Sequence, residues 1–133
     1  MTKLLRFFYK TINYMDVIML IFNYRFYGVW IMEIKYSKSE DCLTVFLYGE
    51  LDEFSAVSAR NVIDELLLDN LNVKKVVFDL SEITFMDSTG IGLLIGRYKK
   101  LKQFEKRAYI SGANVAAEKV IQLAGLYSIM PKY

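Results

Sequence analysis

Residues 75–92 set the frame for the whole chain. The run Lys75-Val76-Val77-Phe78-Asp79-Leu80 is rich in β-branched and aromatic side chains and reads as a strand, central in its sheet. The stretch Phe85-Met86-Asp87-Ser88-Thr89-Gly90-Ile91-Gly92 follows and opens a helical run over residues 91–104. There Ile91, Leu94, Ile95, Tyr98 and Leu101 make one apolar stripe. A small polar residue at such a junction caps the helix, because its side-chain oxygen reaches first-turn N–H groups that otherwise lack partners. Gly90 and Gly92 keep side-chain bulk away from Ser88, which leaves room for a partner's backbone or a phosphate. On the residues alone Ser88 has two readings: a capped helix start, and an approachable hydroxyl.

The elements on either side are legible by period. Residues 33–37 and 42–48 alternate as strands, with a polar connection over 37–41 short enough for a hairpin. Gly49-Glu50-Leu51-Asp52 then leaves the sheet. A helix over 54–68 places Val57, Val62, Ile63, Leu66 and Leu67 near one face, with Ser55 as its cap. Residues 108–111 read as a strand. Asn114 caps a helix over 115–123, which Gly125 stops, and a short strand over 127–130 closes the order. Gly92 and Gly96, one turn apart, suggest close packing of the 91–104 helix on the sheet. Arg97, Lys99, Lys100, Lys102, Lys106 and Arg107 read as a solvated helix face. The sequence β-β-α-β-α-β-α-β implies a largely parallel sheet of right-handed crossovers that starts with an antiparallel hairpin.

Composition removes several functions. The chain of 133 residues is one domain, and it contains no histidine, so a Ser-His-Asp triad, a Cys-His pair and histidine zinc sites are excluded. Its one cysteine, Cys42, begins a strand and reads as a buried thiol. The nucleophile pattern G-x-S-x-G fails because Met86 holds the first glycine position. Gly90-Ile91-Gly92-Leu93-Leu94-Ile95-Gly96 misses the dinucleotide fingerprint by one residue, and no Walker-type phosphate loop occurs. No metal or cofactor is expected. With catalysis by Ser88 excluded, two roles stay open for it: a helix cap, and a substrate whose hydroxyl is offered to another protein's ATP.

Residues 1–31 differ from the rest. They carry 9 of the 20 aromatic residues and a net charge of +3, which leaves −1 on residues 32–133. That near-neutral balance argues against nucleic acid as a partner. Asn13, Asp16 and Asn23 interrupt any membrane span between Lys10 and Arg25, so stable membrane insertion is not expected. A secretory signal lacks its apolar core and cleavage site, while a basic, aromatic interfacial segment stays open. The preferred reading is a leader outside the functional protein, with Met32 as the start. The codons for Gly28-Val29 are able to spell a ribosome-binding GGAGT just upstream of the Met32 codon.

Met86-Asp87-Ser88-Thr89-Gly90-Ile91-Gly92, followed by Gly96-Arg97-Tyr98-Lys99, resembles the phospho-acceptor loop and following helix of bacterial anti-sigma factor antagonists, which are STAS domains. The likeness is greatest to those of sporulation, and extends over about residues 32–131. It implies an α/β fold with a mixed, mostly parallel sheet and helices packed against it. It implies that Ser88 is the phosphorylated serine, with Thr89 as a lesser acceptor, and that Asp52 contacts the anti-sigma partner. By physics alone Asp52 is equally a helix-capping carboxylate. The implied partner surface is Glu50, Asp52, Met86, Asp87, Thr89, Gly90 and Ile91. The implied partners are an anti-sigma factor serine kinase with its ATP or ADP and a phosphoserine phosphatase, in the cytoplasm, and the chain itself is no enzyme. The alternative within the family is a nucleotide-sensing or transporter-linked STAS domain without kinase control. The resemblance also implies a final helix after 127–130, for which residues 32–133 leave no room.

Overall fold

The computed structural model describes residues 32–133, together with the backbone of three two-residue strands. Of these, β1 (Val17–Ile18) lies antiparallel to the strand over Glu33–Ser39, and β2 (Arg25–Phe26) pairs with β3 (Val29–Trp30) as a separate ribbon. The reading of residues 1–31 as a foreign leader otherwise lies outside the described residues.

The domain is a mixed sheet carrying three helices. β4 (Glu33–Ser39) and β5 (Cys42–Leu51) form the expected hairpin. β5, β6 (Lys75–Met86) and β7 (Arg107–Ser111) are parallel, and the sheet order is β1-β4-β5-β6-β7. α1 (Glu53–Asp69) joins β5 to β6, α2 (Ser88–Gln103) joins β6 to β7, and α3 (Val115–Ala124) follows β7. Successive right-handed crossovers in one direction put α1 and α2 side by side on one face of the sheet. Alternation along the strands turns Leu43, Val45, Leu47, Val76, Phe78 and Leu80 into the core beneath these helices, all completely buried. From above, Ile63, Leu66, Leu94, Leu101 and Ile121 meet them.

Several local expectations change. The chain does not leave the sheet at Gly49: β5 continues to Leu51 through register shifts at Phe46/Tyr48 and Gly49/Glu50. Gly49 takes φ +102°, a backbone region that side chains disfavour. β6 likewise runs on to Met86 instead of stopping at Leu80. Val57 is 59% exposed, off the buried face of α1. Gly92 and Gly96 do not press on the sheet, since a Cβ on either would meet nothing within 4 Å. Within the basic run Arg97 is buried, its Nε 3.1 Å from Asp64 of α1, and Lys100 lies 3.5 Å from the same carboxylate. Burial lowers the Arg97 pKa and Asp64 opposes that shift.

The closing strand is also displaced. Residues 126–128 form a 3-10 turn, started by Gly125 in the left-handed region and held by Ser128 bonding back to the Gly125 carbonyl. Leu126 and Met130 are buried four residues apart, a helical spacing. The chain rejoins the sheet only beyond them, where Lys132 bridges to Ile110 beside β7.

Candidate functional site

Leu51 and Met86, the last residues of β5 and β6, are register partners in adjacent parallel strands. The residue after each is an aspartate that caps the next helix. Asp52 Oδ1 accepts the backbone N–H groups of Phe54 (2.9 Å) and Ser55 (3.0 Å). The Asp52 N–H donates to Ser55 Oγ, and the Ser55 hydroxyl goes on to the Glu50 carbonyl at 2.7 Å. This reciprocal capping box moves the cap of α1 from the expected Ser55 to Asp52, with Ser55 closing it from inside. Asp87 Oδ1 accepts the Thr89 N–H at 2.9 Å and caps α2.

The duplication decides the status of Ser88. With Asp87 in the capping position, Ser88 becomes the first helical residue and is solvent-exposed. Its hydroxyl makes no hydrogen bond among the described residues. Gly92, one turn further along the same helix face, is exposed as well, so no side chain shades the hydroxyl from that side.

The residues singled out from sequence fall into two layers. Glu50 and Ser88 are exposed, and Asp52, Asp87 and Thr89 are half-buried at the surface. Met86 (4% exposed), Gly90 and Ile91 (7%) lie beneath and anchor the start of α2 on the strand ends. The strand ends and helix starts at 48–57, 81–89 and 112–116 contain Glu50, Asp52, Glu53, Glu82 and Asp87 but no lysine or arginine. This end of the domain is therefore acidic. It also carries exposed apolar side chains: Phe54, Phe85 and Val115, which the sequence did not single out as exposed, and Val57, expected on the buried face. A signal for Phe54 existed, since it stands nine residues from buried Ile63, two and a half turns and so on the opposite face.

Among the described residues no cluster of three or more His, Cys, Asp or Glu is disposed to hold a metal, and no helix is long and apolar enough to cross a membrane. Cys42 is a buried free thiol.

The chain is similar to several known proteins. An anti-sigma F factor antagonist of Paenibacillus polymyxa is 30% identical over 102 residues, 77% of this chain and 86% of the relative. An anti-sigma-B factor antagonist of Listeria monocytogenes is 27% identical over 99 residues, 74% of this chain and 84% of the relative. The anti-sigma factor antagonist SpoIIAA in its unphosphorylated form superposes with a TM-score of 0.63 at 25% identity, over 75% of this chain and 87% of that one. The Bacillus SpoIIAA in its phosphorylated form gives 0.58 at 25% identity, over 75% and 90%. The family model for the STAS domain matches residues 33–133, and the chain belongs to that family.

Proposed function

We propose that this protein is an anti-sigma factor antagonist whose binding is switched by phosphorylation of Ser88. Unmodified, it binds an anti-sigma factor serine kinase carrying ATP or ADP and so frees the sigma factor. The kinase modifies Ser88 and binding is lost, and a phosphoserine phosphatase restores it. The observation that carries this reading is the uncommitted, exposed Ser88 hydroxyl, left free because Asp87 caps the helix.

The chemistry divides between the proteins. The kinase supplies base, magnesium and nucleotide; Ser88 Oγ attacks the γ-phosphorus, its proton goes to the kinase base, and ADP leaves. This chain contributes position: a hydroxyl on the first residue of a rigid helix, with Gly92 open beside it. Thr89 is the lesser acceptor, half-buried with its N–H tied to Asp87. A phosphate adds about −1.5 to −2 charges beside segments 48–57 and 81–89, which hold five carboxylates and no lysine or arginine. Only the helix N-terminus favours it, so it stays on the surface and the fold persists. In the kinase centre it meets the phosphates of the nucleotide, like charges at short range, and the complex opens.

Glu50, Asp52 and Asp87 form the polar contact surface, while Met86, Gly90 and Ile91 hold it from below. Two of the named relatives act in sigma F and sigma B systems; the sporulation type is the one we favour. Such a role places the protein in the cytoplasm, where sigma factors work. The test is incubation with each anti-sigma factor kinase encoded in the same genome and Mg-ATP, with phosphate mapped by mass spectrometry. The expected result is one phosphate on Ser88, absent from Ser88→Ala. Phosphate elsewhere, or none with any kinase, contradicts the reading.

A further inference from the structure

We infer that Phe54, with Val57 one turn behind it, is a separate apolar anchor for the anti-sigma partner, received by a pocket with a basic rim; this rests on the function proposed above. Phe54 is 85% exposed and Val57 59%, on the face of α1 opposite the buried Ile63 and Leu66. A phenylalanine so exposed contributes nothing to the core, and its apolar surface stays in contact with water until something covers it. At positions i and i+3 the two side chains form one continuous apolar patch.

Its place in the fold ties the patch to Ser88. Leu51 and Met86 are register partners, and Asp52 and Asp87 cap α1 and α2 directly after them. Phe54 is thus two residues past its cap on one helix, and Ser88 one residue past its cap on the neighbouring helix. Packed helices lie about 8–10 Å apart, so Phe54 is within reach of a docking protein that engages Ser88. The occupant's chemistry follows from the charge around the patch. Glu50, Asp52 and Glu53 flank Phe54, no lysine or arginine occurs in 48–57 or 81–89, and the next cation on α1, Arg60, stands one turn beyond Val57. A partner that buries Phe54 therefore brings an apolar pocket edged by arginine or lysine. Its attraction is spread over Glu50, Asp52 and Glu53, while the repulsion introduced by phosphate is confined to Ser88. Anchor and switch are then distinct: Phe54 sets how tightly the unmodified protein binds, and Ser88 decides whether it binds.

An aromatic side chain seated in a partner's pocket at the centre of an interface behaves as a hot spot, and its truncation costs roughly 30-fold or more in affinity. Titration calorimetry against each anti-sigma factor kinase of the same genome, loaded with ADP, compares wild type with Phe54→Ser and Val57→Ser. The expected result is at least about a 30-fold loss for Phe54→Ser and a smaller loss for Val57→Ser. Melting temperatures should stay unchanged for Phe54→Ser, since the side chain is outside the core. Raising NaCl from 50 to 500 mM should weaken wild-type binding. Equal affinity of Phe54→Ser and wild type overturns the anchor and leaves the function standing. Absence of wild-type binding to every kinase overturns both.

Discussion

Gly90 sits so close to Met86 that a Cβ on it would come within 2.6 Å of Met86 Cγ and 3.0 Å of Leu51 Cγ. The first turn of α2 therefore rests directly on the register pair that ends β5 and β6. Gly90→Ala should force these packed side chains apart and destabilise the fold by about 1–3 kcal/mol in urea unfolding. Gly92→Ala and Gly96→Ala meet open space. Each should stabilise the helix by about 0.5–1 kcal/mol, because glycine in a helix interior loses more backbone freedom than alanine.

The division of labour between Asp87 and Ser88 is testable by stability alone. Asp87→Ala removes the side chain that caps α2 and should cost about 0.5–2 kcal/mol. Ser88→Ala removes an exposed hydroxyl without a hydrogen bond and should fall within about 0.5 kcal/mol of wild type. Equal costs for the two would return the cap to Ser88.

Glu105 holds φ +59° just past the end of α2, where its N–H bonds to the Lys102 carbonyl and that of Lys106 to the Leu101 carbonyl. Side chains other than glycine pay about 1–2 kcal/mol in this left-handed conformation. Glu105→Gly should raise the unfolding free energy by up to about 1 kcal/mol, measured by the midpoint of a urea titration.

How much of this was readable beforehand depended on where the determining contacts lay. The alternation of β4 and β5, the 3.6-residue stripe of α2 and the strand-to-helix turn at Ser88 are local, and they appeared in place. The cap of α1 is open between Ser55 and Asp52 in the sequence, and Asp87 takes the cap of α2 from Ser88 only through the backbone geometry at 87. Val57 was misplaced because the buried stripe of α1 runs through Ala56, Ala59, Ile63 and Leu66, small residues included. Arg97 was misread as solvated because its partner, Asp64, is on another helix. The strand expected over 127–130 is a turn whose two buried anchors, Leu126 and Met130, only tertiary packing reveals.

The last segment is fastened by ionisable groups, which gives it a pH dependence. The Tyr127 hydroxyl donates to Glu118, and Lys132 Nζ lies 2.8 Å from the same carboxylate. Burial first, then the Glu118 contact, raises the Tyr127 pKa above its ordinary 10.0. A raised folded-state pKa means that its contribution is fully present below about pH 10, where the unfolded chain begins to ionise, and is lost as pH rises towards the folded value. Lys132, then Tyr127, lowers the Glu118 pKa below 4.5, so that its contribution is present above the usual carboxylate range and lost on acidification. Unfolding in urea at pH 8, 10 and 11 should show wild type losing more stability than Tyr127→Phe across that range. Parallel losses would remove Tyr127 from the effect.

The central claim, that Ser88 is a switch with no structural duty, is tested most directly by calorimetry of one anti-sigma factor kinase against four forms of the protein. These are the unmodified chain, Ser88→Ala, Ser88→Asp and Ser88 phosphorylated enzymatically. Alanine removes only the hydroxyl, aspartate adds one charge, and phosphate adds about −1.5 to −2 with three strong acceptor oxygens. Affinity should therefore be highest and equal for unmodified and alanine, lower for aspartate and lowest for phosphoserine, while the melting temperatures differ far less. Four equal affinities would contradict the switch.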